Sequence, residues 1–155
     1  MRWWVVLLAL TYTWGAAAAD AKPFVRGTWQ EIRARYVEKP IVVHLWGLTC
    51  APCLTELPQW ADVRNGFPEM NFVFIAADPA PMPSGDVSAT LERAGIMQVD
   101  SWNFDDKFTQ RLRYEIDPAW KGELPRTLLI DEAGGITVLP GVADLRKVKA
   151  WIEKR

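Results

Sequence analysis

Residues 41–58 read Ile-Val-Val-His-Leu-Trp-Gly-Leu-Thr-Cys-Ala-Pro-Cys-Leu-Thr-Glu-Leu-Pro, and the fold turns on this stretch. Ile41 to Trp46 is a short apolar run rich in β-branched residues, which predicts a buried strand. Gly47-Leu48-Thr49 predicts a loop. The cysteine pair then opens a helix, in which Pro52 suits a first-turn position. Gly66 marks its stop, and Pro58 inside it predicts a kink.

Cys50 and Cys53 are the only cysteines in the chain. A structural disulfide usually closes a longer loop, because its stabilising effect grows with loop length. A bridge across two intervening residues does little for a fold. The pair therefore reads as a reversible redox couple or as half of a metal site.

Outward from this stretch, strands and helices alternate. Thr28 to Tyr36 predicts a short amphipathic helix, with Thr28 as N-cap and Glu31 completing a capping box. Asn71 to Ala77 predicts a second buried strand, and Asp78 to Gly85 a proline-rich loop. A helix is expected from Val87 to Ala94, a short strand over Gln98 to Trp102, and another helix from Asp105 to Tyr114. Arg126 to Ile130 and Ile136 to Leu139 form a strand pair around the turn 131–135. Leu145 to Lys154 closes the chain as an amphipathic helix through Val148, Trp151 and Ile152. This pattern gives an α/β domain with a mixed sheet.

At the N-terminus, Arg2 is followed by an uncharged, mostly apolar run of 12 residues, Trp3 to Trp14, and then by small residues up to Ala19. That order predicts a secretory signal peptide over residues 1–19, with cleavage after Ala19 or Ala21. The whole uncharged stretch to Ala19 is 17 residues, at the lower edge of a spanning helix, so an uncleaved membrane anchor is the alternative. The remaining chain, 22–155, is expected to be one domain. A formal net charge of -1 argues against a nucleic-acid binder, which would carry a basic patch.

The motif in its setting resembles the thioredoxin superfamily. Apolar strand, aromatic, short loop and Cys50-Ala-Pro-Cys53 follow the thioredoxin order. Leu54-Thr55-Glu56-Leu57-Pro58 is similar to the TlpA-like group of exported thioredoxins, which includes the thiol reductases of cytochrome c maturation. Leu124-Pro125-Arg126-Thr127 resembles the segment carrying the cis-proline of that family, and Gly134-Gly135 with Gly141 its terminal hairpin. The resemblance covers residues 24–155. It implies a thioredoxin fold, a mixed central sheet flanked by helices. There are two departures. Thr49 stands before the first cysteine where the family usually has Trp, which removes an aromatic flank. His44 stands where thioredoxin has a buried acid and the TlpA-like group often has Asn.

On this resemblance Cys50 is the expected nucleophile, at a helix N-terminus that favours a thiolate. Cys53, one turn on and deeper, resolves the mixed disulfide. Pro125 is the expected cis-proline, beside which the backbone of Leu124 would pair with an extended substrate segment. Glu56 shares a helix face with Cys53 and, if buried, would take its proton. His44, the only histidine, is either a proton acceptor below Cys53 or a core histidine with satisfied ring nitrogens. Trp46 is expected to pack beneath the motif, and Trp102 and Trp120 either to pack or to line a partner groove.

The leading expectation is an exported, periplasmic reductase of protein disulfides that needs no cofactor or metal. Its electrons would come from a membrane thiol-relay protein, and its clients would be apocytochrome or copper-site thiols. A thiol oxidase is the same chemistry reversed. A Cu(I)-binding protein is the alternative of another class, since two thiolates suit Cu(I).

Overall fold

The computed structural model describes residues 20–155. The segment read as a signal peptide or anchor lies outside them. Among the described residues, no helix is long and apolar enough to cross a membrane.

Six strands form one sheet: β1 (Lys22–Phe24), β2 (Ile41–Trp46), β3 (Asn71–Ala76), β4 (Asp100–Phe104), β5 (Arg126–Ile130) and β6 (Ile136–Pro140). Their spatial order is β1-β4-β3-β2-β5-β6. The pairs β1–β4, β3–β4 and β2–β3 are parallel, and β2–β5 and β5–β6 antiparallel. The mixed α/β sheet read from the sequence is therefore the one observed. The helices are α1 (Thr28–Arg35), α2 (Ala51–Gly66), α3 (Ser84–Arg93), α4 (Thr109–Ile116) and α5 (Leu145–Ile152).

Strand periodicity divides the core in two. Val42 and Trp46 of β2, with Phe72 and Phe74 of β3, meet Leu57 and Trp60 of α2, Leu91 of α3 and Val148 of α5. Ile41, Val43 and Leu45 face the other way, onto Trp29 and Ile32 of α1 and Leu112 of α4. Helices on both faces explain why every residue of β2 is buried. Each fully buried aliphatic side chain here contributes about 1.5–3 kcal/mol relative to exposure.

Several local expectations are corrected. Thr28 does not cap α1. Gly27 takes the cap position at φ 88°, and the Thr28 hydroxyl instead accepts the Val25 N–H at 3.1 Å. β4 runs two residues past its expected end because it pairs with β1, a strand not anticipated, and the Asp105 N–H extends that ladder to the Phe24 carbonyl. The Asp106 carboxylate then accepts the Phe108 N–H, a local turn that delays α4 to Thr109. Trp102 and Trp120 are both buried against the α1 and α4 side, so neither lines a groove, and the Trp120 indole N–H donates to the Glu123 carbonyl at 2.9 Å.

Candidate active site

β2 and β3 run parallel, with Trp46 opposite Ala76, so both strands deliver their following loops to one end of the sheet. β5 is antiparallel to β2, with Leu45 opposite Arg126, so the segment entering β5 through Pro125 reaches that same end. Ligands in open α/β sheets gather at the carboxyl ends of the strands for this topological reason.

Cys50 caps α2 with extended backbone, and Cys53 lies one turn inside. The two form a disulfide, with Cα atoms 5.2 Å apart. Cys53 is completely buried, and Cys50 is partly exposed. The Cys53 N–H donates to Cys50 Sγ at 3.3 Å. That donor is one of the unpaired N–H groups at a helix start, and with the helix dipole it favours negative charge on this sulfur. The two cysteines thus differ in access, Cys50 partly exposed and Cys53 completely buried. Leu54, beside the pair, is 39% exposed. An apolar groove of about 380 Å³ opens next to it, lined by Leu48, Leu54, Leu57, Pro58 and Arg93 among others.

The peptide bond from Leu124 to Pro125 is cis. Pro125 is buried, and Leu124 packs against both halves of the core.

Beneath the motif is a buried polar group drawn from four elements. Glu56 of α2 is 2% exposed and His44 of β2 is 1% exposed. Glu56 Oε2 accepts the Ala143 N–H at 3.3 Å, from the loop after β6. Glu56 Oε1 faces His44 Nε2 at 3.3 Å, without hydrogen-bond alignment, and neither atom has a hydrogen-bond partner. His44 Nδ1 meets the Thr127 hydroxyl of β5 at 3.1 Å. His44 also packs against Trp60, with ring centroids 4.6 Å apart and the planes tilted by 37°. Burial raises the Glu56 carboxyl above its usual range and lowers the His44 imidazole to about 3. Both groups therefore favour their neutral forms. A hydroxyl can donate or accept, so Thr127 suits either ring tautomer. Nδ1 is thus paired with Thr127, while Nε2 lies against Glu56 without a hydrogen bond. Among the described residues no cluster of three or more His, Cys, Asp or Glu side chains could hold a metal ion.

One residue at this end escaped the sequence reading. Asp78, two residues past the end of β3, is 1% exposed. Its Oδ2 accepts the Leu48 N–H at 2.9 Å; its Oδ1 accepts the Thr49 N–H at 2.9 Å and the Thr49 hydroxyl at 2.7 Å. A Cβ on Gly47 would lie 2.9 Å from Asp78 Oδ1, so only glycine lets the loop close on this carboxylate. The signal that could have found it is an acid placed at the end of a strand parallel to β2, level with the cysteine loop.

No protein-family model matches the sequence. No curated protein matches it either. Solved structures do. A secreted disulfide oxidoreductase of Mycobacterium tuberculosis, described as homologous to E. coli DsbE, superposes with a TM-score of 0.62 at 18% identity, covering 79% of this chain and 86% of that one. A thiol:disulfide interchange protein of the thioredoxin family from Chlorobium tepidum gives 0.61 at 20% identity, over 79% and 83%. StoA from Bacillus subtilis gives 0.53 at 21% identity, over 74% and 83%. With a six-stranded mixed sheet, five flanking helices and these neighbours, the chain has the thioredoxin fold.

Proposed function

We propose that the protein is an exported thiol–disulfide oxidoreductase that reduces disulfides in partner proteins. The observation that carries this reading is the disulfide at the start of α2, with one cysteine partly exposed and the other buried. In the dithiol form, the Cys50 thiolate attacks one sulfur of a partner disulfide. A mixed disulfide forms, and the other partner sulfur leaves as a thiolate. Cys53 then loses its proton and attacks Cys50 Sγ, which closes the internal disulfide and releases the second partner sulfur as a thiolate, and the two partner thiolates take their protons from water. Two electrons pass to the partner.

Glu56 takes the Cys53 proton in this scheme and returns it when the pair is reduced again. Its raised pKa makes its ionised form a stronger base than an ordinary carboxylate. His44, expected as a proton acceptor, is lowered to about 3 by burial and is too weak a base for that step, so it is the neutral neighbour of Glu56 here. Pro125 and the Leu124 backbone hold the extended client segment beside Cys50, and the apolar groove at Leu54 suits a polypeptide client. The electron supply is a membrane thiol-relay protein, and client cysteines of the apocytochrome c kind fit a dedicated reductase. Export through residues 1–19, and a domain over 22–155 working in the periplasm, complete the reading. It is supported by the secreted thioredoxin-fold neighbour.

The test is a pair of variants assayed on a disulfide-bonded protein substrate. Cys50→Ser is expected to abolish turnover, and activity retained by it would refute the nucleophile. Cys53→Ser is expected to accumulate mixed disulfides, visible as reducible adducts by mass. Their absence would show that Cys50 does not attack partners.

A further inference from the structure

We infer that Asp78 is a positioning residue that sets the redox poise of the Cys50–Cys53 pair, holding it toward the disulfide and so making the protein a stronger reductant. The inference rests on the redox reading above and concerns a residue that takes no part in bond exchange.

The geometry comes first. One buried carboxylate accepts three hydrogen bonds from two consecutive residues, Leu48 and Thr49, and Thr49 is bonded to Cys50. The carboxylate therefore fixes the loop from which Cys50 projects. Summing that 2.9 Å contact with standard chain dimensions puts the charge no more than about 11 Å from Cys50 Sγ. No cation is paired with Asp78 among the described ion pairs, so only these donors offset its charge.

The chemistry follows from which redox form is charged. The disulfide carries no charge. Reduction adds two electrons and takes up protons, and the dithiol gains stability wherever Cys50 can ionise to a thiolate. A fixed negative charge nearby opposes that ionisation. At an effective dielectric constant of about 20 and a separation of about 10 Å, the effect is roughly tenfold in the thiol–thiolate equilibrium. The helix start draws Cys50 toward thiolate, and Asp78 draws it back. Thr49 modulates this balance, because its hydroxyl donates to the same Oδ1 and offsets part of the charge.

The experiment uses the folded protein and two variants that move the balance in opposite directions. Each is equilibrated with glutathione or dithiothreitol, and the rate of Cys50 alkylation at neutral pH is followed in the reduced form. Asp78→Asn keeps the size of the side chain, removes the charge and leaves one acceptor oxygen for the loop donors. It is expected to shift the equilibrium about tenfold toward the dithiol, equivalent to about 30 mV for a two-electron couple, and to speed alkylation. Thr49→Val lies at an exposed position and keeps the carboxylate while removing one donor. It is expected to shift the equilibrium a few-fold toward the disulfide and to slow alkylation. If Asp78→Asn is folded and equilibrates as wild type does, the inference is overturned, even if turnover falls. If Asp78→Asn does not fold, Thr49→Val decides: no shift, or a shift toward the dithiol, overturns it. Failure of the underlying reading looks different, since wild type would then not equilibrate reversibly with either reagent.

Discussion

Glu56 and His44 are two ionisable groups buried against each other with a single polar contact between them. Their opposite shifts give the protein a definite pH behaviour. Glu56 is raised above 4.5, so the native state holds its proton after the unfolded chain has lost it; its contribution is complete below about 4.5 and declines as pH rises through the folded value. His44 is lowered from 6.5 to about 3, so in that interval the unfolded chain binds the extra proton and stability falls as pH drops. The two slopes oppose each other above about 4.5, for as long as the raised Glu56 carboxyl still holds its proton. Glu56→Gln removes one of them. Its stability is therefore expected to rise more steeply with pH than that of wild type across this interval, as denaturant titrations at several pH values would reveal; parallel curves would place the Glu56 carboxyl outside its buried setting. The same variant is expected to slow resolution of the mixed disulfide by on the order of 100-fold in stopped-flow measurements. An unchanged rate would make Glu56 a structural residue only.

At the scale of elements, the loop from β2 to α2 is shaped as much by β3 as by its own residues. Gly47 lies against the Asp78 carboxylate, with room for no side chain. Gly47→Ala is expected to displace the loop, to cost about 1–3 kcal/mol as overpacking does, and to lower turnover; a variant as stable and active as wild type would mean that the loop relaxes freely. α2 itself is anchored by Leu57 and Trp60 in the core. Leu57→Ala is expected to cost about 2–5 kcal/mol in denaturant unfolding, and a cost well below 1 kcal/mol would show that α2 is loosely held. What was legible in the sequence divides along this line. The strand, loop and helix carrying Cys50 and Cys53 are local, and their period and punctuation announced them. The hold of Asp78 on Thr49 spans 29 residues and depends on β2 and β3 being parallel neighbours, which no local pattern encodes. Thr49 shows the same limit. As a departure from a family pattern it looked like the loss of an aromatic flank, whereas its hydroxyl is a hydrogen-bond donor to a carboxylate from another strand. β1 was missed because a three-residue strand has too little period to read, and its pairing with β4 in turn moved the expected end of β4.

At the scale of the whole molecule, a sheet covered on both faces accounts for the fold without help from the cysteines. Their bridge closes a loop of sequence separation three. Such a loop restricts the unfolded chain little, so the dithiol form is expected to keep its far-ultraviolet circular dichroism and to unfold cooperatively. A reduced protein that loses its structure would assign the bridge a structural role and count against the redox reading.

That reading is tested most directly by the reduction potential of the Cys50–Cys53 pair, measured by equilibration with dithiothreitol or glutathione mixtures of known potential. A reductase with an internal carboxylate opposing the thiolate predicts a reversible two-electron couple near that of thioredoxin, about −270 mV. A value near that of the strong oxidant DsbA, about −120 mV, would reverse the direction of the proposed chemistry, and a pair that never equilibrates would remove it.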